Sequence, residues 1–217
     1  MSLGLDPVEV RVLGCLVEKQ RTTPDAYPLT LNSLRLACNQ STNRDPVVDW
    51  DERTVREAAQ RLGRKRLARL ASGHTSRAIK YRHLLDEALG LGDAELALLA
   101  LLMLRGPQTP GELKGRSERL HRFESLAEVQ ETLEALIERG HVAALPRRPG
   151  QKEQRYTHLL GADEEAEAPS APAPEVDASP AQAAPAGAGL EQRVAALEAE
   201  VAELRERLDA LRRELGA

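Results

Sequence analysis

"KYRHLL" at residues 80–85 returns as "RYTHLL" at residues 155–160. A basic residue, a Tyr, a His and two Leu thus recur 75 positions apart. The pair reads either as Tyr–His chemistry used twice or as the closing strand of a small fold built twice. What precedes each copy decides for the second reading. Residues 5–19 predict a helix, with Asp6 as cap, Pro7 in the first turn, and Val10, Leu13, Leu16 and Val17 as apolar positions. "LTLNSLRLACNQ" predicts a second helix capped by Thr30, and Asp51 opens a third that runs to about Lys65 with Val55, Ala59 and Leu62 inward. "LARLA" and "RAIKYRHLL" flank "SGHTS" as a hairpin. Helix, helix, helix, hairpin is the order of a winged helix, a helix-turn-helix backed by a two-stranded wing.

The order then repeats. "GDAELALLALLMLRG" predicts a buried helix, "PQTPGELKGRS" a second, and "SLAEVQETLEALIERG" a third, with Ser125 as cap, Glu128 completing a capping box and Gly140 as stop. "HVAALPRR" and "EQRYTHLL" flank "PGQK" as a second hairpin. Glu9, Leu13 and Leu16 match Glu95, Leu99 and Leu102 at an offset of 86, as "TTP" (22–24) matches "QTP" (108–110). Val55, Glu57 and Leu62 match Val129, Glu131 and Leu136 at an offset of 74. The fall predicts one longer insertion in the first copy, within "LACNQSTNRDPVVDWD". Two units are too few for a solenoid, so the chain reads as a duplicated domain, 1–88 and 89–161.

Residues 162–189 are Ala, Pro and acid, a composition that cannot bury a core and predicts a disordered linker. Residues 190–217 predict a coiled-coil helix. Leu190, Leu197, Leu204 and Leu211 fall at d positions, and Val194, Val201, Leu208 and Leu215 at a positions, a pattern that favours a parallel homodimer through residues 190–215.

Residues 1–161 hold 25 Lys and Arg against 21 Asp and Glu, and residues 162–217 hold 5 against 13. The mildly basic body and acidic tail suit a body that meets a polyanion. Cys15 and Cys38 sit in apolar helical patterns with no metal-binding spacing, so they read as buried thiols and no metal or cofactor is expected. The N-terminal stretch lacks the apolar core of a signal peptide, and "LALLALLML" (96–104) is too short to span a bilayer. A cytoplasmic protein with no membrane partner is therefore expected. Five aromatic residues are too few for the stacking platforms of a single-strand reader. Neither a nucleophile elbow nor a phosphate loop occurs, so catalysis is not expected.

"LDPVEVRVLGCLVEKQRTTPDAYPLTLNSL", "ACNQSTNRDP", "SRAIKYRHLL", "LMLRGPQTPGEL" and "RYTHLL" together resemble the bacterial YceH family of uncharacterised proteins over residues 3–160. The tail "LEQRVAALEAEVAELRERL" is similar to that family's C-terminal heptads. The resemblance implies two winged-helix domains in tandem and assigns no activity and no functional residue. The expected fold is mainly α with small β-hairpins (α+β): two winged-helix domains and a C-terminal coiled-coil helix.

The strongest functional signal is charge. Between Ala58 and Leu85 stand Arg61, Arg64, Lys65, Arg66, Arg69, Arg77, Lys80 and Arg82, with no Asp or Glu. In a winged helix these positions cover the end of the third helix and the wing, the elements that grip double-stranded DNA. Base reading would fall to Asn43, Arg44, Arg53, Arg56 and Gln60, whose side chains suit guanine and adenine edges. The polar run "CNQSTNRDP" can equally cap helix ends and hold the long turn. The second copy differs: Glu128, Glu131, Glu134 and Glu138 line its third helix, although its wing keeps Arg147, Arg148, Lys152 and Arg155. DNA binding by the first domain leads; a non-catalytic scaffold that binds a protein partner through the second domain is the alternative.

Overall fold

Asp6 starts the first helix, α1 (Pro7–Thr22), by accepting the Glu9 amide at 2.7 Å while the Glu9 carboxylate accepts the Asp6 amide at 2.9 Å. This reciprocal capping box opens the computed structural model, which describes residues 3–71, 79–147 and 153–161. The linker at 162–189, the heptads at 190–215, and Arg77, Arg148 and Lys152 lie outside the described residues. After α1 come a 3-10 turn (Pro24–Ala26), β1 (Leu29–Thr30), α2 (Leu31–Cys38), α3 (Glu52–Arg64), β2 (Ala68–Ala71), β3 (Lys80–His83) and the short α4 (Leu85–Leu89). The second half supplies α5 (Asp93–Arg105), α6 (Pro110–Ser117), α7 (Leu126–Glu138), β4 (Val142–Ala144) and β5 (Tyr156–His158). The described residues are thus a mixed α+β fold of seven helices and two small antiparallel sheets, ordered β1-β3-β2 and β4-β5. No helix among them is long and apolar enough to cross a membrane.

The core is built of Leu, Val and Ala, and α1 runs through it. That helix packs on α2, α3 and α5, so the two halves share one core within a single compact unit. Gly14 permits the approach to α5: a Cβ there would stand 3.0 Å from the Leu104 side chain and 3.2 Å from Met103 Cβ.

The caps reveal the repeat. Gly92 donates its amide to Glu95 at 2.8 Å, as Asp6 does to Glu9, so the two glutamates do the same work 86 positions apart. Matching "TTP" to "QTP", however, misaligns the second helix. Thr30, not Thr23, corresponds to Thr109: each caps the second helix of its half by accepting an amide three residues on, at 3.2 Å. The residues before them also correspond, since Leu29 pairs with Tyr81 and Gln108 with Tyr156. The extra length of the first half is therefore split between the two sides of α2 instead of lying in one insertion after it. At Ser125 the expected capping box is half made. Ser125 accepts the Glu128 amide at 3.1 Å, but the Glu128 carboxylate turns to the Glu124 amide at 2.8 Å.

The Tyr–His repeat is a strand-ending device. Tyr81 and His83 share the buried face of β3. The Leu85 amide donates to His83 Nδ1 at 3.3 Å, and the Leu160 amide to His158 Nδ1 at 3.4 Å. An accepting Nδ1 leaves the proton on Nε2. In the first half that N–H meets the Gln20 carboxamide oxygen at 2.6 Å. Tyr27 adds a hydroxyl oxygen that accepts the His83 amide at 2.8 Å.

Burial pushes both imidazoles down to about 4. The unfolded chain takes up protons on these groups as pH falls through about 6.5, whereas the folded chain does so only near 4, so their stabilisation is full above 6.5 and lost below it. Urea unfolding at about pH 7.5 and about pH 5 is expected to show a loss of roughly 2 kcal/mol per histidine at the lower pH. An unchanged midpoint would contradict the neutral, buried assignment.

Candidate nucleic-acid interface

The third helix of the first half begins with Asp51 accepting the Thr54 amide at 2.8 Å. Its outer face carries Arg53, Arg56 and Gln60, all exposed as the sequence suggests. Arg53 pairs with Glu57 at 2.8 Å and Arg56 with Glu52 at 3.5 Å. Such exposed pairs, one helical turn apart, are worth only about 0.3–0.5 kcal/mol, so the arginines can exchange partners at little cost.

Toward its C-terminus α3 divides its charges between two directions. Arg61 and Lys65 turn inward. Arg61 binds Asp6 at 2.7 Å and Glu9 at 3.1 Å, and Lys65 binds Glu9 at 2.8 Å and the Gly4 carbonyl at 2.7 Å. Glu9 is 2% exposed, so these two cations, each about a third exposed, hold α3 to the start of α1. Arg64 and Arg66 remain exposed, with no acidic partner among the described residues.

Arg66 has an unusual backbone. Its φ is +59°, in the left-handed region. The Leu67 amide reaches back to the Leu62 carbonyl at 2.9 Å, which closes the helix in a Schellman turn. The same turn ends α7, where the His141 amide reaches the Leu136 carbonyl at 2.9 Å and the left-handed residue is Gly140, with φ +72°. The second half thus uses the residue that the turn favours, and the first half keeps an arginine there at a cost of about 1 kcal/mol.

The hairpin continues the patch. Arg69 lies directly opposite Arg82, and Lys80 lies two residues along on the same face, beside Thr30 of β1. Arg82 also contacts Glu87 at 2.9 Å. Like charges placed directly opposite destabilise a sheet unless an anion lies over them. In the sequence Arg69 and Arg82 are only members of a basic run; the strand register makes them a pair. The corresponding pair in the second half is Ala143 opposite Thr157. Glu131, Glu134 and Glu138 stand exposed along α7, where α3 has Glu57, Gln60 and Arg64.

The amide-rich loop between α2 and α3 has another role. Arg44, expected at a base edge, has a fully buried side chain. It makes a two-pronged contact with Glu18 of α1 at 2.6 and 3.1 Å, and donates to the Ala37 carbonyl at 3.0 Å and Gln40 at 2.8 Å. It cannot reach DNA from there. Asn43, with φ +58°, accepts from Arg105 of α5 at 2.5 Å. Asn39 grips both the amide and the carbonyl of Trp50, and Arg11 donates to the carbonyls of Cys38 and Pro46 while lying 5.9 Å from the Trp50 ring centre. The loop is a tied structural element that sets where α3 begins.

Burial alone would raise the Glu18 carboxyl, but its hydrogen bond and charge pairing with Arg44 hold it below the ordinary carboxylate range. Glu18→Gln leaves a buried guanidinium without its counter-charge. It is expected to cost about 3 kcal/mol in urea unfolding; a loss no larger than that of an exposed pair would contradict this role.

A family model described as "Protein of unknown function, DUF480" matches residues 5–151. A UPF0502 protein of Geobacter sulfurreducens is 48% identical over 211 residues, covering 94% of this chain and 91% of that protein. One from Solibacter usitatus is 47% identical over 213 residues and 98% of both chains, and one from Pelobacter propionicus is 48% identical over 219 residues, 98% of this chain and 95% of its own. The likeness of "KYRHLL", "ACNQSTNRDP" and their neighbours to a bacterial family of uncharacterised proteins is borne out, and the chain belongs to that family, UPF0502.

Proposed function

We propose that the chain is a non-catalytic, cytoplasmic DNA-binding protein of regulatory type, built of two winged-helix domains and dimerised through the heptads at 190–215. In this reading the first domain grips duplex DNA. Arg53, Arg56 and Gln60 face the major groove, while Arg64, Arg66, Arg69, Lys80 and Arg82 contact phosphates. Arg77 belongs to the same basic run. The observation that carries the reading is Arg66: a charged side chain held in a left-handed conformation where the matching turn has Gly140. Backbone strain kept at one copy of a repeat points to a use for the side chain that the other copy lacks. The Arg69–Arg82 juxtaposition supports the same conclusion.

A second reading, a scaffold whose second domain binds a protein partner, is favoured by α7. Its exposed glutamates are flanked by Leu126 and Ile137, which are 43% and 36% exposed. The two readings separate by salt dependence, because neutralised phosphates release counterions.

Fluorescence anisotropy with a labelled random duplex across a salt series is expected to give a log–log slope of about −3 or steeper. Arg66→Gly is expected to act in opposite directions on two readouts. It flattens the slope by about one contact and weakens binding, while raising stability by about 1 kcal/mol through relief of the left-handed arginine. A slope near zero would favour the scaffold, and an Arg66→Gly protein that binds as well as the parent would remove the observation on which the DNA reading rests.

A further inference from the structure

His83 and His158 occupy equivalent strand ends, yet among the described residues only His83 has a partner for its second nitrogen. His83 Nε2 meets Gln20 Oε1 at 2.6 Å. No acceptor for His158 Nε2 occurs among the described residues. The difference traces to one position. The caps Asp6 and Gly92 put α1 and α5 in register 86 residues apart, and Gln20 then corresponds to Gly106. The first helix continues past Gln20 to Thr22, whereas α5 ends at Arg105. Gly106, with φ +69°, takes a left-handed conformation that favours glycine, and a Cβ built on it would meet no atom within 4 Å. Where the first half has a carboxamide, the second half has open space.

That space is a cleft of about 330 Å³, lined by His158 and Gly106. Leu5 and Val10 from the start of the chain and Leu102 and Met103 from α5 form its apolar walls. Asp45 and Asp6 add two acidic residues, of which the Asp6 carboxylate is taken by the Glu9 amide and Arg61, and Arg11, also in the lining, is already engaged by the Cys38 and Pro46 carbonyls. The volume is at the lower end of small-molecule sites, and the make-up, apolar walls with a few polar groups, is that of such sites.

We infer that this cleft binds a small ligand that carries a carboxamide or similar uncharged carbonyl on a compact apolar body. Its carbonyl oxygen accepts the His158 Nε2 proton, as the Gln20 side chain does for His83 in the first half. Its amide N–H groups suit the Asp45 carboxylate, which disfavours a carboxylate ligand. The inference is independent of DNA binding.

The test uses 3-methylbutanamide as probe and 3-methylbutanoate, of the same shape but charged, as control. Imidazole nitrogen resonances of the full-length isotope-labelled protein are followed by NMR, with His83 as internal reference. The amide is expected to shift His158 saturably, leave His83 unmoved, and bind at least about fivefold tighter than the carboxylate, the worth of one net hydrogen bond. Val10→Phe, which fills the cleft, is expected to abolish the effect; if that variant does not fold, the comparison of the two probes on the parent protein still decides. No saturable shift at His158, equal shifts at both histidines, or tighter binding of the carboxylate would each overturn the inference.

Discussion

The close approach of α1 to α5 at Gly14 is the contact on which the molecule depends. Leu104 lies where any side chain at that position would stand, so the two helices lock the halves into one core. With that side of α1 committed, its polar residues are left to organise the rest of the first half. Glu9 holds the end of α3 through Arg61 and Lys65. Glu18 fixes the α2–α3 loop through Arg44. Gln20 closes the end of β3 through His83. Each is a buried or half-buried polar group that must be satisfied, and together they position α3 and the hairpin relative to one helix.

Duplication makes the departures from symmetry informative. Schellman turns, strand-ending histidines and helix caps recur in both halves because each solves the same backbone problem. Where the halves differ, the side chain at the matching position departs, and at Gln20 and Gly106 the helix end departs with it. Arg66 corresponds to Gly140, the Arg69–Arg82 pair to Ala143–Thr157, Arg64 to Glu138, and Gln20 to Gly106. The first three give the first half a cationic face and deny it to the second. The fourth gives the second half a cleft and closes it in the first. The two halves thus present different side chains on a shared arrangement.

Much of this was legible from residues alone. Asp6, Thr30, Asp51 and Ser125 announce helix starts because a short polar side chain before an apolar period has few other uses. The antiparallel pairs β2–β3 and β4–β5 follow from β-capable runs. Three things were not legible. The insertion could not be divided, because "TTP" and "QTP" look alike while the cap geometry belongs to Thr30 and Thr109. The inward turn of Arg44, Arg61 and Lys65 depends on acids 26 to 56 residues away, and charge alone does not say which arginines are already paired. The short β1 and α4 carry too few residues for a period, and arise from pairing with β3 and from the strand's end.

In the proposed function the two halves have diverged so that only the first presents a surface to DNA. The most direct measurement is a backbone amide NMR map of the full chain titrated with a short random duplex at low salt. The account predicts shifts concentrated at Arg53 to Arg66, Arg69 and Lys80 to Arg82, with Leu126 to Glu138 and Val142 to Ala144 unmoved. Shifts centred on α7 and β4, or spread equally over both halves, would contradict it.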